Sequence, residues 1–274
     1  MTLNLFYYII IFFFGLVIGS FLNCVIYRLE KKESFLTGRS YCPNCKHQLS
    51  WQDLIPFLSF IELQGKCRYC KQKISWRYPL IELATGILFV LVLNYELRIM
   101  NYDLLNLGFI LNSLFLLLNS CFLLIIFVYD LKYYIIPDEV IYPAIFIAFL
   151  YEILYSYFIL HNSHLITNSF YSAFGASLFF LVIFLISRGK WLGFGDVKLA
   201  FFMGLFLGFP DILVALFFAF FIGAIIGLGL ILLRKKNLKS EVPFGPFLVT
   251  GIFIGLFSGG YIINQYLSLF KIIP

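Results

Sequence analysis

Two aspartates stand where carboxylates are rare in proteins. Asp130 in "FVYDLKYYIIPDEV" and Asp196 in "GKWLGFGDVKLAFF" each lie at the end of an apolar run, whereas most of the fourteen acidic residues lie in obvious loops. Carboxylates at such positions act as proton or ion relays, pair with a base, or catalyse a reaction. Two carboxylates that meet share one proton, so that one activates a water while the other donates to a carbonyl. The pair therefore predicts an aspartic peptidase.

The neighbours of the two aspartates bear on this choice. Lys132 and Lys198 each follow an aspartate by two residues and offer the alternative of two structural ion pairs. Gly193 and Gly195 flank the second aspartate, and glycine permits close backbone approach that an ion pair does not require. We therefore favour catalysis, with both glycines and Lys198 as supporting residues.

Four further acidic residues are expected to have roles other than membership of the aspartate pair. Asp138 competes for the same role, but it precedes an apolar run and predicts a helix N-cap, with Glu139 in the first turn. We expect Asp138 to support the site without being one of the pair. Asp53 and Glu62 are expected in a loop or at the interface. Glu82 is likewise expected in a loop or at the interface, and its place one turn into a predicted span leaves open that it faces the cavity of the site.

Four cysteines form a second constellation. "CPNCKHQLSW" and "CRYCKQKISW" repeat with an offset of 25 residues, and each contains a Cys-x-x-Cys pair. Two such pairs about twenty residues apart supply the four thiolates that structural zinc prefers, although redox chemistry and iron remain alternatives. His47 is expected at the surface or beside the metal, since four soft ligands are already present. The predicted zinc ligands are Cys42, Cys45, Cys67 and Cys70.

The elements that position these residues are membrane spans. The chain has 274 residues, of which 62% are hydrophobic and 12% charged, which is far from the composition of soluble domains. Its net charge of +6 does not indicate nucleic acid, because ten of the twenty Lys and Arg residues lie within 28–77, beside a span. Such a cluster marks a cytoplasmic loop. We predict an all-α, multi-pass membrane protein in contact with lipid.

Apolar runs of about 20 residues locate about eight transmembrane helices. They fall near 3–27, 79–97, 107–129, 141–160, 169–187, 198–209, 212–233 and 247–270. Basic flanks place both termini outside and the loops 28–78, 130–140, 188–197 and 234–246 inside. The sixth and seventh spans form a hairpin turning at Pro210, whose short first arm draws Asp196 to the depth of the interface. Asp130 and Asp196 then lie on the same inner face.

This topology divides the chain into three parts. Residues 1–27 form the first span, 28–78 a small cytoplasmic zinc-knuckle domain inserted between spans 1 and 2, and 79–274 the membrane domain that carries both aspartates. A loop of about fifty residues has little core of its own, so we expect the metal to fold it.

Several segments resemble the signatures of bacterial type IV prepilin peptidases. They include "FGLVIGSFLNCVIYRL", "RSYCPNCKHQLSWQDLIPFLSF", "GKCRYCKQKISWRYPLIELATG", "YDLKYYIIPDEV", "GKWLGFGDVKLA" and "VPFGPFL". Together they cover most of the chain in the order found in that family. Lys132 and Tyr133 replace the acidic residue and histidine that many relatives carry, and residues 94–106 and 151–168 match no recognised segment.

The resemblance implies a bifunctional enzyme of the bacterial cytoplasmic membrane. Such enzymes cleave the short basic leader of type IV prepilins or pseudopilins at the cytoplasmic face and then N-methylate the new terminal residue with S-adenosylmethionine. The family's catalytic pair falls on Asp130 and Asp196, and its methylation-linked glycine on Gly65. The methyl-donor site rests on the resemblance alone, since the chain has no glycine-rich methyl-donor loop.

Two other functions remain open from the sequence. A presenilin-like intramembrane aspartyl protease shares the "YD" and "GxGD" motifs but is not expected to carry paired cysteine knuckles. An ion-coupled transporter would use the two aspartates as its coupling site, yet transporters usually contain an inverted repeat that this sequence lacks.

Overall fold

The computed structural model describes residues 5–34, 38–100, 107–156, 163–233 and 242–269. In these ranges the chain is helical, and its only β-pairings are two isolated bridges in the cysteine loop. The helices are α1 (Leu5–Lys31), α2 (Leu58–Glu62), α3 (Arg77–Met100), α4 (Leu107–Tyr133), α5 (Asp138–Leu154), α6 (Ser163–Ser187), α7 (Phe194–Leu207), α8 (Asp211–Leu232) and α9 (Gly245–Leu269). The prediction of an all-α membrane protein is confirmed.

The predicted spans coincide with eight of these helices. Six of them, α1, α3, α4, α6, α8 and α9, are long and apolar enough to cross a membrane. The other two, α5 and α7, have 17 and 14 residues. The predicted inner loop 234–246 lies mostly outside the described residues, as do span residues 3, 4, 157–160 and 270.

The chain forms two compact units, Met1–Ile125 and Ile126–Pro274. In the first unit, α1 packs along α3 at very short range because small residues face each other. A Cβ atom on Gly15 would lie 2.7 Å from the Cα of Gly86, and one on Gly19 would lie 2.7 Å from the Cα of Glu82. Small residues at helix contacts allow the close backbone approach that stabilises helix pairs in lipid.

The cysteine loop between α1 and α3 contains two knuckles with the same backbone turn. In each knuckle the first cysteine accepts a hydrogen bond from the N–H four residues later and donates its own N–H to the carbonyl five residues later. The bonds run from Lys46 to Cys42, Cys42 to His47, Lys71 to Cys67 and Cys67 to Gln72, over 2.8–3.0 Å. The 25-residue sequence repeat is therefore a structural repeat.

In the second unit, α7 is the most enclosed helix of the described chain. It packs against α5, α6 and α9, and Leu199, Ala200, Phe202 and Met203 are fully buried. Gly204 allows α6 to approach, because a Cβ atom there would lie 2.3 Å from the Cα of Ala173. α7 ends at Leu207 and α8 begins at Asp211 with Pro210 as its N-cap, so the predicted turn at Pro210 is confirmed. At 1.5 Å per residue, α7 is only about 21 Å long.

Candidate active site

Asp130 lies at the last turn of α4, where it is 4% exposed. Its carboxylate oxygen Oδ2 accepts a 3.0 Å hydrogen bond from the backbone N–H of Gly245, the first residue of α9. No larger residue fits at that position, because a Cβ atom on Gly245 would lie 2.6 Å from the same oxygen. The start of α9 therefore fixes the Asp130 carboxylate.

Asp196 lies in the first turn of α7 and is 8% exposed. Its Oδ2 accepts a 3.1 Å hydrogen bond from the N–H of Gly193, the N-cap residue. Gly195 contacts the side chain of Ile136. A Cβ atom on Gly195 would lie only 3.0 Å from the Cβ atom of Ile136, so this glycine permits the close approach that the sequence predicted. Gly193 has an ordinary extended backbone, with φ −78° and ψ 154°, and does not require glycine for its conformation.

The two carboxylates belong to the same unit, and each lies at the end of a helix. Asp130 is near the C-terminus of α4, while Asp196 and Gly245 lie at the N-termini of α7 and α9. Within the described residues, neither aspartate forms an ion pair with a basic side chain. The alternative of two structural ion pairs is therefore not supported.

Lys198 pairs with Asp138 instead. Its Nζ lies 2.5 Å from Asp138 Oδ1 and sits over the rings of Tyr142 and Phe194, at 4.8 and 5.3 Å from their centroids. The prediction of Asp138 as an N-cap is wrong, because Pro137 holds the cap position and Asp138 is the first residue of α5. The Asp138 carboxylate instead joins α5 to α7 through Lys198, which follows Asp196 by two residues. Lys132 contacts the hydroxyl of Tyr133 and lies over its ring.

The four predicted metal ligands come together in the first unit. The Sγ atoms of Cys42, Cys45, Cys67 and Cys70 all lie within 4.8 Å of one another. Tetrahedral zinc with Zn–S bonds of about 2.3 Å requires sulfur separations of about 3.8 Å, and Cys42 and Cys70 are 3.9 Å apart. The donor set therefore fits zinc, which would hold the two knuckles together.

The surroundings of Cys70 favour a thiolate ligand. At Cys45 a hydrogen bond from the His47 backbone lowers the pKa, but burial and the hydrogen bonds with Cys42 and Cys70 raise it to about 11. Hydrogen bonds from the Gln72 backbone and the Asn44 side chain lower the pKa of Cys70 to about 6. His47 is not part of the cluster, and its ring stacks on Tyr69 with the centroids 3.7 Å apart. Because a lowered thiol pKa favours the metal-binding form at neutral pH, Cys70 is suited to bind a cation.

The remaining predicted site residues lie in the first unit, whereas both aspartates lie in the second. Glu82 is buried and accepts a 2.8 Å hydrogen bond from the backbone N–H of Phe57. Gly65 precedes the second knuckle with φ +66°, and a Cβ atom there would lie 3.1 Å from the Phe60 ring. Both therefore have a structural role in the cysteine loop.

Sequence reasoning missed Gly245 and Ile136 as residues that touch the site. Gly245 lies 115 residues from Asp130 and acts through its backbone N–H, so no side-chain type marks it. The available signal was the motif "VPFGPFL" immediately before a span. Ile136 follows Asp130 by six residues and is marked only by its position between the two helices.

Sequence profiles of two families match the chain. The bacterial Peptidase A24 N-terminal domain matches residues 13–95, and the type IV leader peptidase family matches residues 117–228. Relatives named "Prepilin leader peptidase/N-methyltransferase" include proteins of Aeromonas salmonicida and Aeromonas hydrophila. The Aeromonas salmonicida protein is 32% identical over 96% of this chain and 94% of its own length. The Aeromonas hydrophila protein is 31% identical over 96% of this chain and 95% of its own length. A Bacillus subtilis relative of the same name is 30% identical, covering 95% and 98%. No solved structure matches significantly.

Proposed function

Because the chain belongs to the type IV leader peptidase family, we propose that it removes the leader of type IV prepilins or pseudopilins and then methylates the new N-terminus. Asp130 and Asp196 are the proposed catalytic pair. The observation that carries this assignment is that two buried carboxylates lie at helix ends of the second unit, each accepting a backbone N–H and neither paired with a base among the described residues.

In the proposed cleavage, one carboxylate takes a proton from a water, whose oxygen attacks the scissile carbonyl carbon. The other carboxyl group donates its proton to the carbonyl oxygen, giving a tetrahedral intermediate. The C–N bond then breaks as the new amine takes up a proton. The products are the leader with a free carboxylate and the mature protein with a free amino terminus. The titrations belong to the pair and not to either aspartate alone.

The location of the site suits a substrate anchored in lipid. A prepilin holds its hydrophobic helix in the membrane and its basic leader just outside it. The aspartates lie at the ends of α4 and α7, which matches the predicted depth of such a cleavage point. We propose that this end faces the cytoplasm and that the membrane is the bacterial cytoplasmic membrane, because the excess of cations in residues 28–77 marks that side.

The methylation proposal rests on the names of the relatives and on the cysteine loop. S-adenosylmethionine would supply an electrophilic methyl group. Its methyl–sulfur bond would break, S-adenosylhomocysteine would leave, and the new amino terminus would gain the methyl group and lose a proton. Zinc bound by the four cysteines would keep the two knuckles together, and Gly65 would permit the turn into the second one. We assign no residues to the methyl donor.

Incubation of the purified enzyme with a candidate prepilin and a labelled methyl donor tests both activities. Mass spectrometry of the product should show loss of the leader and one added methyl group at the new N-terminus. Asp130→Asn and Asp196→Asn should each abolish cleavage, because each removes an ionisable member of the pair. Glu139→Gln is the matched control, since this exposed residue undergoes the same chemical change near the same helix ends. Full processing by either aspartate variant would refute the catalytic pair.

A further inference from the structure

The cysteine loop exposes an apolar patch that the proposed chemistry does not use. We define the interfacial patch as Trp51, Leu54, Ile55, Leu58, Ile61 and Trp76. Trp51 and Trp76 are 73% and 69% exposed, and Leu58 and Ile61 on α2 are 58% and 56% exposed. Contiguous exposed apolar surface of this kind marks a surface that contacts a partner or a membrane.

A hydrogen bond ties the patch segment to the first turns of α3, a helix long and apolar enough to cross a membrane. Glu82 accepts the N–H of Phe57, which lies within the patch segment. Glu82 follows Arg77 by five residues, about 7.5 Å along the helix axis. The polar layer on each side of a bilayer is about 5–8 Å thick. The segment Trp51–Ile61 therefore reaches beyond the start of the span to the depth of the headgroups.

Trp76 is attached to the same surface. Its ring meets Phe60 of α2 edge-on with the centroids 4.8 Å apart, and it directly precedes the first residue of α3. Exposed tryptophans next to a span are typical of the membrane interface, where the apolar ring and the polar N–H meet different surroundings. Trp76 therefore packs against α2, the helix that carries the exposed Leu58 and Ile61.

The charge around the patch favours an anionic surface. Residues 38–77 contain seven Lys or Arg and two carboxylates, a net charge of +5. Both carboxylates face Arg68, since Asp53 lies 2.7 Å and Glu62 3.7 Å from its guanidinium. The exposed cations in this range are Arg39, Lys46, Lys66, Lys71, Lys73 and Arg77. Basic residues near the surface attract anionic lipid headgroups.

We propose that the interfacial patch rests in the headgroup layer of the membrane and that the cations around it bind anionic phospholipids. The cysteine loop is then a monotopic domain lying against the bilayer. This inference does not depend on the aspartate chemistry, because every residue that carries it belongs to the first unit.

Depth-dependent fluorescence quenching tests the proposal on the full chain. The double variant W76F/W191F leaves Trp51 as the only tryptophan, and it is reconstituted into phosphatidylcholine vesicles with or without phosphatidylglycerol. Lipids brominated on the upper acyl chain should quench the larger part of the Trp51 emission, while aqueous acrylamide should quench little of it. Phosphatidylglycerol should increase the quenching by lipid, and added salt should reverse that increase.

Two matched variants in the same background locate the contact. Leu58→Glu puts a negative charge inside the patch and should lower quenching by brominated lipid. Gln52→Glu adds the same charge at an exposed polar residue next to Trp51 and should leave most of the quenching by brominated lipid unchanged. Equal zinc contents of the two variants would show that the knuckles remain folded. If only Leu58→Glu loses zinc, the quenching of the parent W76F/W191F chain decides the proposal.

Three results would overturn the proposal. Trp51 emission quenched by acrylamide but not by brominated lipid would place the patch in water. Emission that neither quencher reaches would show that protein covers the patch. Lipid quenching that is the same with and without phosphatidylglycerol would refute the role of anionic headgroups.

Discussion

Replacing Gly245 with alanine tests whether α9 positions the Asp130 carboxylate. The added Cβ atom would lie 2.6 Å from Asp130 Oδ2, and real Cβ contacts essentially never fall below 3.0 Å. The carboxylate or the start of α9 must therefore move by at least about 0.4 Å. Such a shift strains the 3.0 Å bond from the Gly245 N–H, which is the only hydrogen bond that the described structure gives the Asp130 side chain.

The magnitude follows from the value of that bond. A hydrogen bond to a charged group contributes about 1.5–3 kcal/mol, which corresponds to a rate change of roughly 10- to 100-fold if the bond is lost in the transition state. Misplacement of a catalytic group by about 1 Å costs a factor of similar size. We therefore expect Gly245→Ala to slow leader cleavage by roughly 10- to 100-fold in a single-turnover assay with purified prepilin.

Gly260→Ala is the matched control, because it makes the same change on the same helix where a Cβ atom would meet nothing within 4 Å. It should cleave at the wild-type rate. Equal thermal unfolding of the two variants would separate an effect on the site from a general loss of packing. If Gly245→Ala cleaves as fast as Gly260→Ala, the reasoning that α9 holds Asp130 is refuted.

Three other perturbations have defined outcomes. Cys67→Ser should lower the zinc content measured by elemental analysis, because it removes one of four thiolates; unchanged zinc would exclude the tetrahedral site. Lys198→Met should slow cleavage by up to about fivefold, since it breaks the ion pair with Asp138, and Asp138→Asn should add little to it; fully additive losses would show that the two act separately. Asp53→Asn should lower the melting temperature of the chain at pH 7, and this difference should disappear once the pH has fallen below the lowered pKa of folded Asp53; an equal difference at both pH values would contradict this.

The sign of the Asp53 effect follows from its surroundings. Partial burial alone would raise the pKa of Asp53, but hydrogen bonds from Arg68, Ser50 and Tyr69 hold it below its ordinary value. A carboxyl group with a lowered pKa in the folded state stabilises the fold above its unfolded pKa of about 3.9. That stabilisation is lost as the pH falls through the folded pKa, so wild type and variant should converge in acid.

The sequence predicted the helices well because hydropathy is a local property. The apolar runs located all eight long helices, and the break at Gly208–Asp211 located the hairpin between α7 and α8. The cysteine cluster was equally predictable, since the ligands lie in two short repeats within one loop. In each case the signal and the structure it specifies lie within a few tens of residues.

The contacts that hold the site could not be predicted in the same way. Asp138 precedes an apolar run as an N-cap does, but Pro137 takes that position and the carboxylate meets a lysine 60 residues later. Gly245 contributes only a backbone N–H and the absence of a side chain. Partners of this kind depend on which helix ends converge, and that is decided by the packing of the whole unit.

The way in which the proposed catalytic pair is held bears on its chemistry. A lysine at ion-pair distance would keep an aspartate ionised, and the pair could then no longer share a proton. Here each carboxylate is oriented by one backbone N–H at the start of a helix, from Gly193 for Asp196 and from Gly245 for Asp130. Such a donor fixes an oxygen in place without supplying a full positive charge, and the helix N-termini add only partial charge. Of the two lysines that follow the aspartates by two residues, Lys198 pairs with Asp138 and Lys132 contacts Tyr133. In the proposed mechanism, a proton shared between the aspartates would therefore remain available to move to the scissile carbonyl.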